Sequence, residues 1–318
     1  MNNFKKIGLT ALAGSLVATS VAYAGELAVT GAASMKVANN SNSSNGKTVS
    51  MGNSVYLTGG GETDGGLTVG ISFELDSGVD TGTGTGPFDN HSVSVGSDTL
   101  GTLTVHGHGG SNAAAAIDAT AAGDLWNTTL GISTANDPSE GPSGNGLVAY
   151  ALPSFADGLA INTTYSSVGA NNGGSGAFSI VYTGIEGLTA KYGASEDNST
   201  VNVSADHTTM MLSYAYGPIT ASVSSAEYDH TTAANDQEVT SWGLSYTVSD
   251  AISVSYGQET LDRTGSTADI EVSGLSASYT SGGMTVSASS VSGDDVDGSS
   301  TGVNNNNETW SLSASFAF

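Results

Sequence analysis

No cysteine occurs in the 318 residues, which excludes disulfides and thiolate metal sites. Positive charge is almost as scarce: six Lys and Arg stand against 30 Asp and Glu, a formal net charge of -24. So acidic a chain argues against nucleic acid and anionic lipid headgroups as partners and favours attraction of cations. Proline is rare at five residues, whereas glycine reaches 44, about twice the usual share. After residue 24 no run approaches the ~20 apolar residues of a spanning helix, so a helical membrane protein is excluded while a membrane barrel is not. No Ser/His/Asp grouping, paired carboxylates, phosphate loop or zinc signature stands out, and five scattered histidines give no catalytic case, so the chain is expected not to be an enzyme.

The first 24 residues are read separately. Lys5 and Lys6 lie in a short basic start, residues 7–21 are apolar and small, and Ala22-Tyr23-Ala24 is an A-x-A cleavage pattern. Together they predict a secretory signal peptide over 1–24 and a mature domain over 25–318. Its removal leaves four cations against 30 acids, a formal charge of -26.

What the mature chain has in abundance is alternation. Leu67, Val69, Ile71, Phe73 and Leu75 interleave with Thr68, Gly70, Ser72, Glu74 and Asp76, and the same period recurs through Met210–Tyr216 and Trp242–Val248. One apolar and one Ser/Thr/Gly/Asn/acid face per segment is the pattern of a transmembrane antiparallel β-barrel, all-β in class. Short turns such as Gly217-Pro218 and Ser249-Asp250 alternate with longer connections, among them 77–89, 196–206 and 293–305. Pairing on that basis predicts sixteen strands, at 26–37, 47–58, 66–76, 89–97, 100–108, 144–153, 157–168, 175–184, 187–196, 207–217, 219–228, 236–248, 250–261, 267–281, 282–292 and 306–318. Eighteen follow if part of 124–134 joins the wall. The strand through Ile270, Val272, Gly274, Leu275 and Tyr279 changes parity at Gly274, where a bulge is expected. Closure follows because in hydrocarbon every backbone N–H and C=O needs a partner.

The insert at 109–143 is the longest connection and has no clear period. Structureless loops beyond about 12–15 residues tend to be functional, so this third external loop is expected to fold into the barrel mouth and narrow it.

Three stretches carry a family resemblance: Gly101-Thr-Leu-Thr-Val-His-Gly before the insert, Tyr150-Ala-Leu-Pro-Ser-Phe-Ala-Asp-Gly-Leu159 after it, and the terminus Trp310-Ser-Leu-Ser-Ala-Ser-Phe-Ala-Phe318. In these the chain resembles the general porins of Gram-negative outer membranes. The resemblance implies sixteen strands, a homotrimer and an inward third loop. It also implies that Trp310, Leu312, Phe316 and Phe318, on one face of the last strand, form the signal read by the barrel assembly machinery. Members of that family usually set an arginine cluster opposite loop acids. Here only Lys36, Lys47, Lys191 and Arg263 remain, with Lys36 and Lys191 inward by parity, Lys47 at a strand start and Arg263 in a loop. A neutral wall facing an acidic loop is expected instead.

The candidate pore-constriction residues are Asp118 and Asp124 of the insert, His106 and His108, Lys36, Lys191 and Glu74. Clustered carboxylates at a narrow point select cations, which gives Asp118 and Asp124 more weight than Asp137 and Glu140. His106 and His108, two apart on a strand, are expected to share the lumen face, where protonation below about pH 6.5 opposes cation flow. No third ligand is fixed by spacing, so no metal site is assigned to them. The run Asp294-Asp295-Val296-Asp297-Gly298 lacks the closing acid of an EF-hand, since counting from Asp295 ends at Asn306. No cofactor is expected beyond weak, diffuse binding of Ca2+ or other divalent cations by such loop acids. Phe73, Tyr182, Tyr192, Tyr214, Tyr216, Trp242, Tyr256, Tyr279 and Trp310 are expected to form the interfacial girdles in outer-membrane lipid.

The resemblance thus implies a trimeric outer-membrane porin passing small hydrophilic solutes and ions by passive diffusion, and the excess of acid predicts a preference for cations. The alternatives are a substrate-selective channel, which needs an inward aromatic track or basic ladder, and a surface β-rich adhesin or structural protein, which predicts a fixed internal repeat.

Overall fold

The computed structural model describes residues 26–40, 46–76, 89–117, 120–123, 125, 130, 132, 144–167, 174–200, 203–300 and 306–318. The expected signal peptide lies outside them. Sixteen strands run as β1 (Glu26–Asn40), β2 (Lys47–Glu62), β3 (Thr68–Asp76), β4 (Asn90–Ser97), β5 (Gly101–His108), β6 (Leu147–Ala151), β7 (Leu159–Ser166) and β8 (Ser175–Tyr182). The second half continues with β9 (Leu188–Thr200), β10 (Val203–Tyr216), β11 (Ile219–His230), β12 (Gln237–Ser249), β13 (Ile252–Arg263), β14 (Ile270–Ser281), β15 (Met284–Asp294) and β16 (Asn307–Ala317). Each strand pairs antiparallel with its neighbours in sequence, and β1 pairs with β16 to close the barrel. Among the described residues no helix is long and apolar enough to cross a membrane.

Closure is completed at Gly31. Its N–H donates to the Phe318 carbonyl at 2.7 Å and its carbonyl accepts from the Phe318 N–H at 3.0 Å. The Phe318 ring lies over Gly31 so closely that a Cβ there would come within 2.4 Å of it. A barrel closed in this way is no solenoid, which removes the repeat-built adhesin.

The outer surface is what lipid requires. Val49 is 80% exposed, Met51 71% and Val29 61%, a degree of apolar exposure that water does not sustain over a whole circumference. The aromatic residues expected in the girdles all take this outward parity. Lys47 also faces outward, its ammonium 5.9 Å from the centroid of the Trp310 ring.

Three details differ from the sequence expectation, while the expected count of sixteen strands holds. β9 and β10 extend to Thr200 and Val203, so much of the connection expected at 196–206 is paired strand, through Asp197↔Ala205 and Thr200↔Val203. Arg263 closes β13 and donates from Nη2 to Asn235 Oδ1 at 2.7 Å, so it belongs to the wall and not to a loop. The described part of 124–134, namely Leu125, Leu130 and Ile132, joins no strand, and the count stays at sixteen. No bulge occurs at Gly274 either: β14 keeps an unbroken register with β13 and β15. Ile270 and Val272 turn inward because the inside of the wall is apolar at that height, where it meets the long loop.

Candidate functional site

The described parts of the 109–143 loop lie inside the barrel. Its stem is pinched by a mutual pair, Gly110 N–H to the Gly144 carbonyl at 3.1 Å and Gly144 N–H to the Gly110 carbonyl at 2.6 Å. From there the loop follows the inner wall from β7 to β16. The Ala113 N–H donates to Thr164 Oγ1 on β7 at 2.9 Å. The Ala121 N–H donates to Ser224 Oγ on β11 at 2.9 Å and to Ser241 Oγ on β12 at 2.6 Å, while Ser222 returns a bond to the Ala121 carbonyl at 3.0 Å. The Leu125 N–H donates to Glu259 Oε2 on β13 at 3.1 Å, and Asn307 on β16 donates its amide to the Leu130 carbonyl.

These anchors form one line. Ser224, Ser241, Glu259, Val272, Gly293 and Asn307 are successive cross-strand partners from β11 to β16, so the loop tracks a single row of the sheet. The adjacent row on β12, β13 and β14 is Gly243, Gly257 and Gly274, each the direct partner of the next. A Cβ at Gly243 would meet the Ala121 carbonyl oxygen at 2.3 Å, one at Gly257 the Ala122 Cβ at 2.6 Å, and one at Gly274 the Leu125 Cδ2 at 2.6 Å. Glycine is used here because the loop backbone lies directly on the wall.

Apolar burial holds the loop down. Leu130 and Ile132 pack with Ala226, Val239, Leu261, Ile270 and Val272 of the wall and with Val296 of the β15–β16 connection. Full burial of one such side chain is worth about 1.5–3 kcal/mol, against about 1 kcal/mol net for a hydrogen bond. The apolar seat therefore supplies most of the attachment, and the hydrogen bonds fix its register.

Below the loop the inner wall is hydroxyl-lined. Ser255 and Ser276 are 2.7 Å apart, Ser253 and Ser278 2.7 Å, Ser289 and Ser311 2.8 Å, and Ser287 and Ser313 2.8 Å, all inward by parity. β1, β2 and β3 lie outside the run of anchors named above. This sector carries the charge: Glu74 and Asp76 alternate with the outward Phe73 and Leu75 and so face the lumen, and the Tyr56 hydroxyl is hydrogen-bonded to Glu74 directly opposite. The inner wall carries acid at β3, where a neutral wall was expected, because both carboxylates take inward parity.

The other expected residues are placed as follows. Lys36 faces inward between Ser50 and Ser313, and Lys191 between Val181 and Met211, on β1 and β9 at opposite sides of the sixteen-strand ring. His106 turns inward between Ser92 and Leu147, against Gly110 of the loop stem. His108 does not share its face. The register shifts so that His91 opposes His108 while Ser92 opposes His106, leaving Gly107 as the extra residue of a bulge. His108 stacks on His91 with ring centroids 6.5 Å apart, and His91 stacks on the outward Phe73 at 6.5 Å. That places His108 on the outer surface. Asp118, Asp124, Asp137 and Glu140 lie outside the described residues. Trp310, Leu312 and Phe316 share the outward face of β16, and Phe318 follows them.

Around Asp295, whose φ of 51° is left-handed, the turn closes through a Gly298 N–H to Asp295 carbonyl bond of 2.7 Å. Among the described residues no group of three or more His, Asp or Glu gathers as a metal site. Tyr56, Glu259 and the glycine row were not singled out from sequence. Their signal is inward parity, which acquires meaning only once strand partners are known.

The comparisons agree with this geometry. Solved structures similar to the chain include an anion-selective porin from Comamonas acidovorans, 15% identical with a TM-score of 0.68 over 92% of this chain and 100% of that one. Another is in-vitro folded OmpT, an outer membrane protein of Vibrio cholerae, in trimer form, 16% identical with a TM-score of 0.69 over 93% and 100%. A mutant of the Rh. blastica porin is 17% identical with a TM-score of 0.65 over 92% and 100%. At these identities the likeness is one of fold. No curated protein matches the sequence. The Gram-negative porin family matches residues 8–318. With a closed sixteen-strand barrel, an apolar exterior and a hydroxyl-lined interior, the chain belongs to the Gram-negative porins, channel proteins of the outer membrane.

Proposed function

We propose that this porin is a passive, cation-preferring diffusion channel for small hydrophilic solutes and ions, acting as a homotrimer after removal of residues 1–24. The observation that carries the preference is the position of Glu74 and Asp76 on the inward face of β3. Carboxylates beside a low-dielectric wall attract cations several times more strongly than in bulk water. The overall excess of acid adds a long-range term of the same sign.

Ser and Thr hydroxyls supply a neutral, exchangeable hydrogen-bonding surface that suits solutes entering and leaving without tight binding. Asp118 and Asp124 of the loop extend the acidic lining in this reading, and crowded external acids such as Asp294 and Asp297 bind divalent cations diffusely. The outward Trp310, Leu312, Phe316 and Phe318 serve as the assembly signal. The trimer form of the Vibrio cholerae protein supports trimerisation here.

The reading is tested by swelling of liposomes carrying the purified protein. Uncharged sugars of increasing size should enter at falling rates, and a cationic amino compound should enter faster than an anionic one of equal size. Equal rates for the charged pair, or faster entry of the anion, would remove the cation preference.

A further inference from the structure

Tyr56 is an aromatic ring turned into the water of the lumen. Val55 and Leu57 on either side point outward, Leu57 lying opposite Val29, so Tyr56 faces inward, where it is 36% exposed. Among the described wall residues the other inward aromatic is Tyr228, which is half-buried and lies beside His230 at 6.1 Å between centroids. The Tyr56 phenol is hydrogen-bonded both to Glu74, its direct partner on β3, and to Ser54 on its own strand. Asp76 follows two residues beyond Glu74 on the same face.

The counter-charge is remote. Lys36 stands six residues along β1 from Thr30, the partner of Tyr56, or about 20 Å at strand rise. Lys191 is across the ring on β9. Neither cation lies near Glu74, which the phenol bond holds beside the ring.

We propose that Tyr56 and Glu74 form a weak subsite for small organic cations, alkylammonium compounds in particular, on the inward face of β2 and β3. The chemistry separates this class from its competitors. An aromatic face attracts a cation through the ring quadrupole, most usefully one whose charge is spread over methyl groups that shed water cheaply. The carboxylate adds the opposite charge. A hydrated potassium ion gains mainly the carboxylate, and a neutral sugar gains mainly the ring. The inference rests on the cation-preferring channel reading above and names the solute class that benefits from it.

The test is a planar-bilayer recording in KCl with choline added on one side. Choline should reduce or interrupt the wild-type current in a concentration-dependent way. Tyr56→Ala and Glu74→Gln should each weaken that effect about fivefold, while Tyr56→Phe, which keeps the ring, retains it. Heat-modifiable migration of each variant in detergent shows that the barrel is intact. Cation-selective channels that ignore choline, or choline block undiminished in Tyr56→Ala, overturn this inference alone. So does a Tyr56-dependent interruption by glucose with none by choline. The absence of any channel from folded protein overturns the underlying channel reading as well.

Discussion

Gly257 of β13 and Ala122 of the inward loop are in direct contact: a side chain added at Gly257 would place its Cβ 2.6 Å from the Cβ of Ala122. The wall residue has no side chain so that the loop can lie flat. With Gly243 and Gly274 in register on either side, the contact becomes a shelf three strands wide.

Gly257→Val is therefore expected to push the loop toward the barrel axis and lower single-channel conductance, with the barrel still folded. Overpacking costs about 1–3 kcal/mol, and the loop can yield more readily than sixteen paired strands. Gly176→Val, where an added Cβ meets nothing within 4 Å, should leave conductance unchanged. Equal conductance in the Gly257 variant would mean that the loop does not bound the pore.

Ser224 and Ser241 both accept from the Ala121 N–H and lie 2.5 Å from each other. Replacing both by Ala leaves that N–H without its wall acceptors, a cost of about 1–3 kcal/mol confined to the loop. Open-channel current noise should rise while the unfolding midpoint of the barrel barely moves. A large fall in the midpoint, without added noise, would show that the pair holds the wall and not the loop.

His207 is 1% exposed on β10, inward by parity, and neither ring nitrogen has a hydrogen-bond partner among the described residues. An unpartnered buried imidazole costs stability that an apolar side chain of similar size does not. His207→Leu should unfold in denaturant at the same concentration as wild type or higher. A clearly lower midpoint would reveal a polar partner for the ring.

Phe318 contributes backbone bonds to Gly31 that do not need its side chain. Phe318→Ala should therefore refold in detergent to a heat-modifiable barrel at near wild-type yield, yet accumulate poorly in the outer membrane of cells if the terminal aromatic is the proposed assembly signal. Equal accumulation in cells would contradict the assembly-signal role.

Strand positions were legible in sequence wherever one face meets lipid and the other water, because period-two alternation then follows from solvent alone. Legibility failed where a third environment intervenes. Ile270 and Val272 break the alternation because their inner neighbour is the loop, not water, and from sequence this looks like a bulge at Gly274. A bulge at Gly107, by contrast, is hidden in an unbroken alternation and moves His108 outward. Gly243 and Gly257 look like ordinary glycines of a glycine-rich chain and Gly274 like a bulge site, since only cross-strand register brings the three into one row. Glu259, fully buried beneath the loop, likewise reads as a lumen acid until Leu125 is seen to cover it.

In the proposed reading, the inward carboxylates of β3 make this porin prefer cations. The most direct test is the zero-current potential across a planar bilayer under a KCl gradient, for wild type and for Glu74→Gln combined with Asp76→Asn. The account predicts a cation-selective potential that shrinks clearly in the double variant. A wild-type potential of anion-selective sign, or one that the double variant leaves unchanged, would contradict it.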